Sequence, residues 1–271
     1  MQKRHNLLMT VLSMTVGLSL LTGCNSQVKN VTTSQGTQES IKENTEENTQ
    51  EKGQENVQLS IKNEIEDRIS VSYKEEDYYA EWKNASYTSI KLNETEVYIE
   101  GNGAHYGGQV LTITQGGTYV IEGSLNEGNI IIDSNDEEVV RFVLNGVNVH
   151  SSNTAPVYVK NAKKVVLSLE EGTENIFSDE IYTLEETEEQ PDAVIYSKDD
   201  LVINGTGSLK IEANTKDGIV SKDKLKIMEG NISIVSANDG IKGKDLVAIK
   251  DVNIEITAGG DGIKATNDTE Q

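Results

Sequence analysis

The chain has 271 residues but one cysteine, two prolines, one tryptophan and three histidines. A lone Cys24 excludes an intrachain disulfide and a thiolate metal cluster. His5 lies in the apolar N-terminal segment, so His105 and His150 remain, too few for a histidine-rich zinc site. Beyond residue 24 the only arginines are Arg68 and Arg141. Aromatics make up 5% of the chain, which argues against a core built around large rings. Proline is scarce while glycine, valine, isoleucine, asparagine and aspartate are plentiful, a composition that favours short strands separated by tight turns.

The formal charge is −21, of which residues 1–24 carry +2 and residues 25–56 carry −3, leaving −20 on residues 57–271. Such an acidic fold repels nucleic-acid phosphates and anionic lipid, so neither is expected as a partner. Cations are attracted, although acidity alone also serves plain solubility.

Residues 1–24 read as an export signal. Lys3 and Arg4 precede an apolar run from Leu7 to Leu21, too short for an ordinary membrane span. The run closes with Leu21-Thr22-Gly23-Cys24, which resembles the bacterial lipobox and implies lipid attachment at Cys24. The expected location is the outer face of the bacterial cell membrane, with the lipid as the only membrane contact. Residues 25–56 are polar and nearly free of large apolar side chains, as expected of a disordered linker. A coil of that length spans about 30 Å on average and roughly 105 Å when pulled straight.

The strongest signal is a repeat. Asp217-Gly218-Ile219, Asp239-Gly240-Ile241 and Asp261-Gly262-Ile263 return at a constant spacing, and Ile195-Tyr196-Ser197-Lys198-Asp199 is a looser earlier copy. Between triplets, apolar residues alternate. Leu201/Ile203, Leu225/Ile227 and Val247/Ile249 form one set, and Leu209/Ile211, Ile232/Ile234 and Ile254/Ile256 another. Residues two apart share one side of a strand, so each pair turns two side chains inward. The period of about 22 residues with three short strands predicts one turn of a right-handed parallel β-helix, stacked about 4.8 Å per coil. The fold class is therefore all-β, with the solenoid over 93–271. The chain stops at Gln271, eight residues past Ile263, so the last coil is expected to be unfinished.

The acidic stretch Asp179–Asp192 interrupts the pattern and reads as a solvated loop. Residues 57–92 hold Tyr73, Tyr78, Tyr79, Trp82 and Tyr87, and are expected to cap the first coil. Stacking of Trp82 on a sugar ring is the sharper but less favoured alternative.

Three phrases carry a resemblance: Gly-Gly-Thr-Tyr-Val-Ile-Glu-Gly at 116–123, Leu-Asn-Gly-Val-Asn-Val at 144–149 and Ser-Lys-Asp-Asp-Leu-Val-Ile-Asn-Gly-Thr-Gly-Ser-Leu at 197–209. With the Asp-Gly-Ile coils, they resemble a bacterial, clostridial-type family of carbohydrate-binding parallel β-helices. The resemblance runs from about Ile90 to the end. It implies surface proteins that are similar in fold to polysaccharide lyases and bind cellulose or acidic pectin-type glycans with calcium.

Two aspartate columns follow from the register: Asp217, Asp239 and Asp261 at one corner, and Asp199, Asp223 and Asp245 six residues on. Two carboxylates about 5 Å apart repel by about 3 kcal/mol at an effective dielectric of 20. Calcium would relieve that repulsion, with Asn214, Asn238 and carbonyls as further ligands. Asp-Gly is also ordinary turn chemistry, and the resemblance is what favours calcium. The expected function is non-catalytic polysaccharide binding. A calcium-dependent lyase is the alternative and needs a strong base, for which Lys222, Lys242 and Lys244 lie near the columns. No Ser-His-Asp set is legible. A structural adhesin without sugar specificity is the third reading.

Overall fold

The computed structural model describes residues 71–184 and 190–266. The signal segment, Cys24, the 25–56 linker, Arg68 and the first part of the 57–92 segment lie outside the described residues.

Strands follow where the alternating pairs predict them, and almost all pair in parallel. They fall into three files. The first holds Val110–Ile113, Asn129–Asp133, Val157–Asn161, Ala193–Ser197, Asp217–Ser221, Ile241–Gly243 and Ile263–Ala265, in that spatial order. The second runs through the front halves of Gly117–Leu125 and Val140–Ser151, then Val165–Leu169, Leu201–Asn204, Lys224–Ile227 and Leu246–Ile249. The third takes the back half of Val140–Ser151, then Glu174–Asp179, Ser208–Ala213, Gly230–Ser236 and Val252–Ala258. Val140–Ser151 belongs to two files because its chain turns at Gly146, where φ is +80° and a side chain would be strained. The arrangement is a solenoid-like stack of parallel strands.

The core consists of ladders of like residues. Ile219 pairs with Ile241, and Ile241 with Ile263. Leu201 pairs with Leu225, and Leu225 with Val247. Leu209, Ile232 and Ile254 align in the third file, as do Ile211, Ile234 and Ile256. Each fully buried isoleucine or leucine contributes roughly 1.5–3 kcal/mol. One rung is polar: Asn175 pairs with Leu209 and is fully buried. It is satisfied, because its Oδ1 accepts the Gly146 and Val147 amides at 3.0 Å and its Nδ2 donates to the Ser208 carbonyl at 3.1 Å.

The glycines of the first two triplets are required by space. A Cβ on Gly218 would lie 2.5 Å from the Gly240 carbonyl oxygen, and one on Gly240 would lie 2.6 Å from that of Gly262. The return is regular only late in the chain. Val157 pairs with Ile195 across a much longer connection, which carries the acidic stretch.

The aromatic segment differs from the expected cap. Lys226 Nζ donates to the Ser72 carbonyl at 2.6 Å, and Lys250 Nζ sits over the Tyr73 and Tyr78 rings. Asp77 is fully buried between Lys164 at 2.7 Å and Lys226 at 2.6 Å, and its carbonyl accepts Asn204 Nδ2 at 2.9 Å. Tyr79 Oη and Trp82 Nε1 both donate to Glu170. These residues therefore form a strap along the outward side of the second file, across several coils. The N-terminal edges are closed instead by antiparallel strands: Glu96–Glu100 covers Thr88–Glu94, and Ala104–Gly107 covers Val110–Ile113. The 92/93 boundary thus falls inside the first parallel strand.

Candidate functional site

Inward positions are consumed by the ladders, so the outward positions of the three files are what a ligand can meet. The second file lies under the strap. On the first file, Tyr158 and Tyr196 pack edge to face, with Lys198 and Lys222 over their rings. Tyr196 and Val220 are buried there. The third file is open.

Its outward residues form two adjacent rows. Glu174, Ser208, Asn231 and Asn253 align in register, and so do Ile176, Lys210, Ser233 and Glu255. All of them but Ile176 line a groove of about 420 Å³. A parallel sheet repeats its side chains at about 4.8 Å, close to the advance of one sugar in an extended glycan. Amide, hydroxyl and carboxylate groups spaced this way suit the hydroxyls of such a chain. Lys210 pairs with Glu212 at 2.7 Å, and that carboxylate raises the lysine's affinity for its proton.

The first predicted aspartate column does stack. Asp239 N donates to Asp217 Oδ1 at 3.0 Å, and Asp261 N to Asp239 Oδ1 at 2.9 Å. Asn238 Nδ2 also donates to Asp217 Oδ1, at 2.7 Å. Lys242 Nζ lies 3.7 Å from Asp217 Oδ2, and Lys264 Nζ 3.6 Å from Asp239 Oδ2. Burial pushes the Asp217 carboxyl up in pKa, against those hydrogen bonds. The column is thus a corner ladder in which one oxygen of Asp217 and one of Asp239 serve the next coil.

In the second column each side chain makes separate contacts. Asp199 Oδ2 accepts the Ala162 amide at 2.9 Å, Asp223 lies beside Lys224 at 3.4 Å, and only the Asp245 amide reaches the Asp223 carbonyl, at 3.2 Å. Burial raises the Asp199 pKa. Asn214 serves Asp179, not the column. Among the described residues, no three histidine, cysteine or acidic side chains converge as a metal cage.

For base chemistry the placement is equally specific. Lys222 covers Tyr196 and Lys242 faces Asp217. Arg141 donates from Nη2 to the Glu76 carbonyl at 2.9 Å and from Nη1 to Ser168 Oγ at 3.1 Å, so the strap occupies it. One set escaped the sequence reading. His150 Nδ1 and Ser178 Oγ lie 3.0 Å apart, and His150 Nε2 lies 3.7 Å from Glu180 Oε1. The second distance is too long for a hydrogen bond. Register pairing of His150 with Ser178 brings them together, and spacing along the chain carries no signal of it.

The fold is an all-β, solenoid-like stack of parallel strands with a polar outward groove, and the fold by itself names no ligand. Residues 107–271 match the family described as carbohydrate-binding domain-containing protein, and the chain belongs to that family. A protein of Acetivibrio thermocellus with the same description is 40% identical over 124 residues, which is 45% of this chain and 43% of that relative. The chain therefore spans less than half the length of this curated relative. A solved polysaccharide lyase-like protein from C. thermocellum, in a gadolinium derivative, superposes with a TM-score of 0.65 at 38% identity, over 69% of this chain and 76% of that one. Both strap and N-terminal hairpins begin outside the matched residues.

Proposed function

We propose that this chain is a non-catalytic, polysaccharide-binding surface lipoprotein that holds a glycan along the groove of the third file. The observation that carries the reading is the pair of polar rows running across Glu174–Asp179, Ser208–Ala213, Gly230–Ser236 and Val252–Ala258. They lie inside the residues matched to a carbohydrate-binding family. Cellulose and acidic pectin-type glycans are the ligands to test. The stack is read as a right-handed parallel β-helix, since three files recur in chain order and crossovers between parallel strands are right-handed in nearly all sheets. Lipidation at Cys24 and the 25–56 linker would hold it off the outer face of the membrane.

Pull-down on insoluble cellulose and gel retardation in polygalacturonate, with and without chelator, test the reading. Retardation lost on replacing Asn231 and Asn253 by alanine supports it. Equal mobility in every glycan gel favours a structural adhesin instead.

A second reading is a polysaccharide lyase. The description of the C. thermocellum neighbour as polysaccharide lyase-like motivates it. Ultraviolet-absorbing unsaturated products from pectate would establish it.

A further inference from the structure

The strap is seated on the coils by a carboxylate. Of residues 71–87, Asp77 alone is buried, and Tyr73 and Tyr78 stay exposed. A segment that serves packing buries apolar side chains. This one buries a single acidic group, which is the footprint of an acidic ligand.

The place that receives Asp77 is built for an anion. Lys164 and Lys226 are the two buried cations among the described residues. Both end on this carboxylate, Lys164 on Oδ1 at 2.7 Å and Lys226 on Oδ2 at 2.6 Å. Lys164 also reaches Glu76 at 3.2 Å, and Arg141 donates to the Glu76 carbonyl at 2.9 Å. In a chain of net charge −21, three cations therefore converge on one acidic dipeptide. The floor between them is apolar. Arg141, Val166, Val202 and Lys226 lie in register on one outward row, and Met228 packs with the two valines. Asn204 is 1% exposed and donates to the Asp77 carbonyl, yet its Oδ1 is buried without a hydrogen-bond partner. That oxygen is an acceptor the strap leaves unused.

A sugar acid matches all three features. The C–H face of its ring suits the valines, its carboxylate suits the paired ammonium groups, and a hydroxyl can donate to Asn204 Oδ1. The cations and the floor lie inside the residues matched to a carbohydrate-binding family, whereas the strap lies outside them. We propose that the strap is a built-in competitor: Asp77 fills a carboxylate site on the second file that takes a uronic-acid unit of a glycan once the strap lifts. A ligand that meets only the lifted state binds more weakly in proportion to the rarity of that state. This site is separate from the groove of the third file and shares with that reading only the carbohydrate class of ligand. It stands whether or not the groove binds glycan.

The test uses the full chain in chelator, titrated with oligogalacturonate while emission from Trp82, the sole tryptophan, is followed. Lifting frees Trp82 Nε1 from Glu170, so a red shift is expected. Asp77→Asn removes the competitor and should tighten binding at least tenfold. Adding Lys164→Gln to that variant should abolish the gain, while Asn231→Ala, in the groove, should leave it intact. Cello-oligosaccharide should give no shift, and an equal shift would overturn the carboxylate assignment. Polyglutamate should also give none, and a shift with it would assign the site to acidic peptides and overturn the glycan reading. Should Asp77→Asn fold poorly, hydrogen exchange of amides 72–82 in the parent decides. Faster exchange with oligogalacturonate supports the proposal, and unchanged exchange at millimolar ligand overturns it. Binding by folded Asp77→Asn no tighter than by the parent would overturn it as well.

Discussion

The backbone amide of Asp239 donates to the Oδ1 of Asp217 at 3.0 Å, and one coil on Asp261 repeats the bond to Asp239. A carboxylate and an amide 22 positions apart thus join successive coils at their corner. The repeat of Asp-Gly-Ile is a repeat of this bond, of the close backbone approach beside it, and of the isoleucine ladder behind it.

The glycine of the triplet is testable by contrast. Gly240→Ala drives a Cβ to 2.6 Å from both the Gly262 carbonyl oxygen and Ile256 Cγ2, whereas nothing lies within 4 Å of the same Cβ on Gly262. Gly240→Ala should cost about 1–3 kcal/mol in urea unfolding. Gly262→Ala should be near neutral. Equal effects would refute the close-approach account.

The ladders predict a sharp alternation of sensitivity. Ile234 is 1% exposed and Val235, its neighbour, is 51% exposed. Ile234→Ala should cost about 2–5 kcal/mol, and Val235→Ser less than about 0.5 kcal/mol. Thermal denaturation of both variants measures this.

The strap should loosen in acid. Burial pushes the Asp77 carboxyl up, but hydrogen bonds from Lys164 and Lys226 outweigh it and hold the pKa below the usual value. Glu170 is likewise raised by burial and lowered further by Tyr79, Trp82 and Lys83. A depressed folded-state pKa contributes stability above the unfolded-state value, and that stability is lost as pH falls through the folded-state value. Emission from Trp82, the sole tryptophan, should therefore shift as pH drops below the ordinary carboxylate range. Asp77→Asn leaves the buried Lys226 ammonium without its anion and Lys164 with Glu76 alone, at 3.2 Å, and should cost about 3–5 kcal/mol.

The groove makes a prediction separable from folding. Asn231 and Ser208 are exposed or half-exposed rungs of one row. Replacing either by alanine should weaken glycan retardation by roughly threefold to tenfold, the effect of one hydrogen bond, while Tm stays within a degree or two. A Tm loss that tracks the binding loss would point to structure instead.

Much of the fold was legible because burial imposes periodicity. The pairs Leu201/Ile203 and Leu225/Ile227 are aligned in space as they are in sequence, since a ladder needs like residues at like positions. The strap was not legible in its true place. Five aromatics near the N-terminus look like an end cap, and their destination depends on Lys164, Glu170 and Lys226, residues far along the chain.

By itself the sequence determined the all-β class, the strand positions of the late coils, and the stacking of Asp217, Asp239 and Asp261, all of which follow from local alternation and a constant return. Tertiary structure alone decided which faces stay open. The strap covers the second file, while the third is left as a groove. In Asp217 one carboxylate oxygen bonds the next coil while the other is buried without a hydrogen bond. Those outcomes depend on contacts between residues with no common spacing, and no pattern within the chain encodes them.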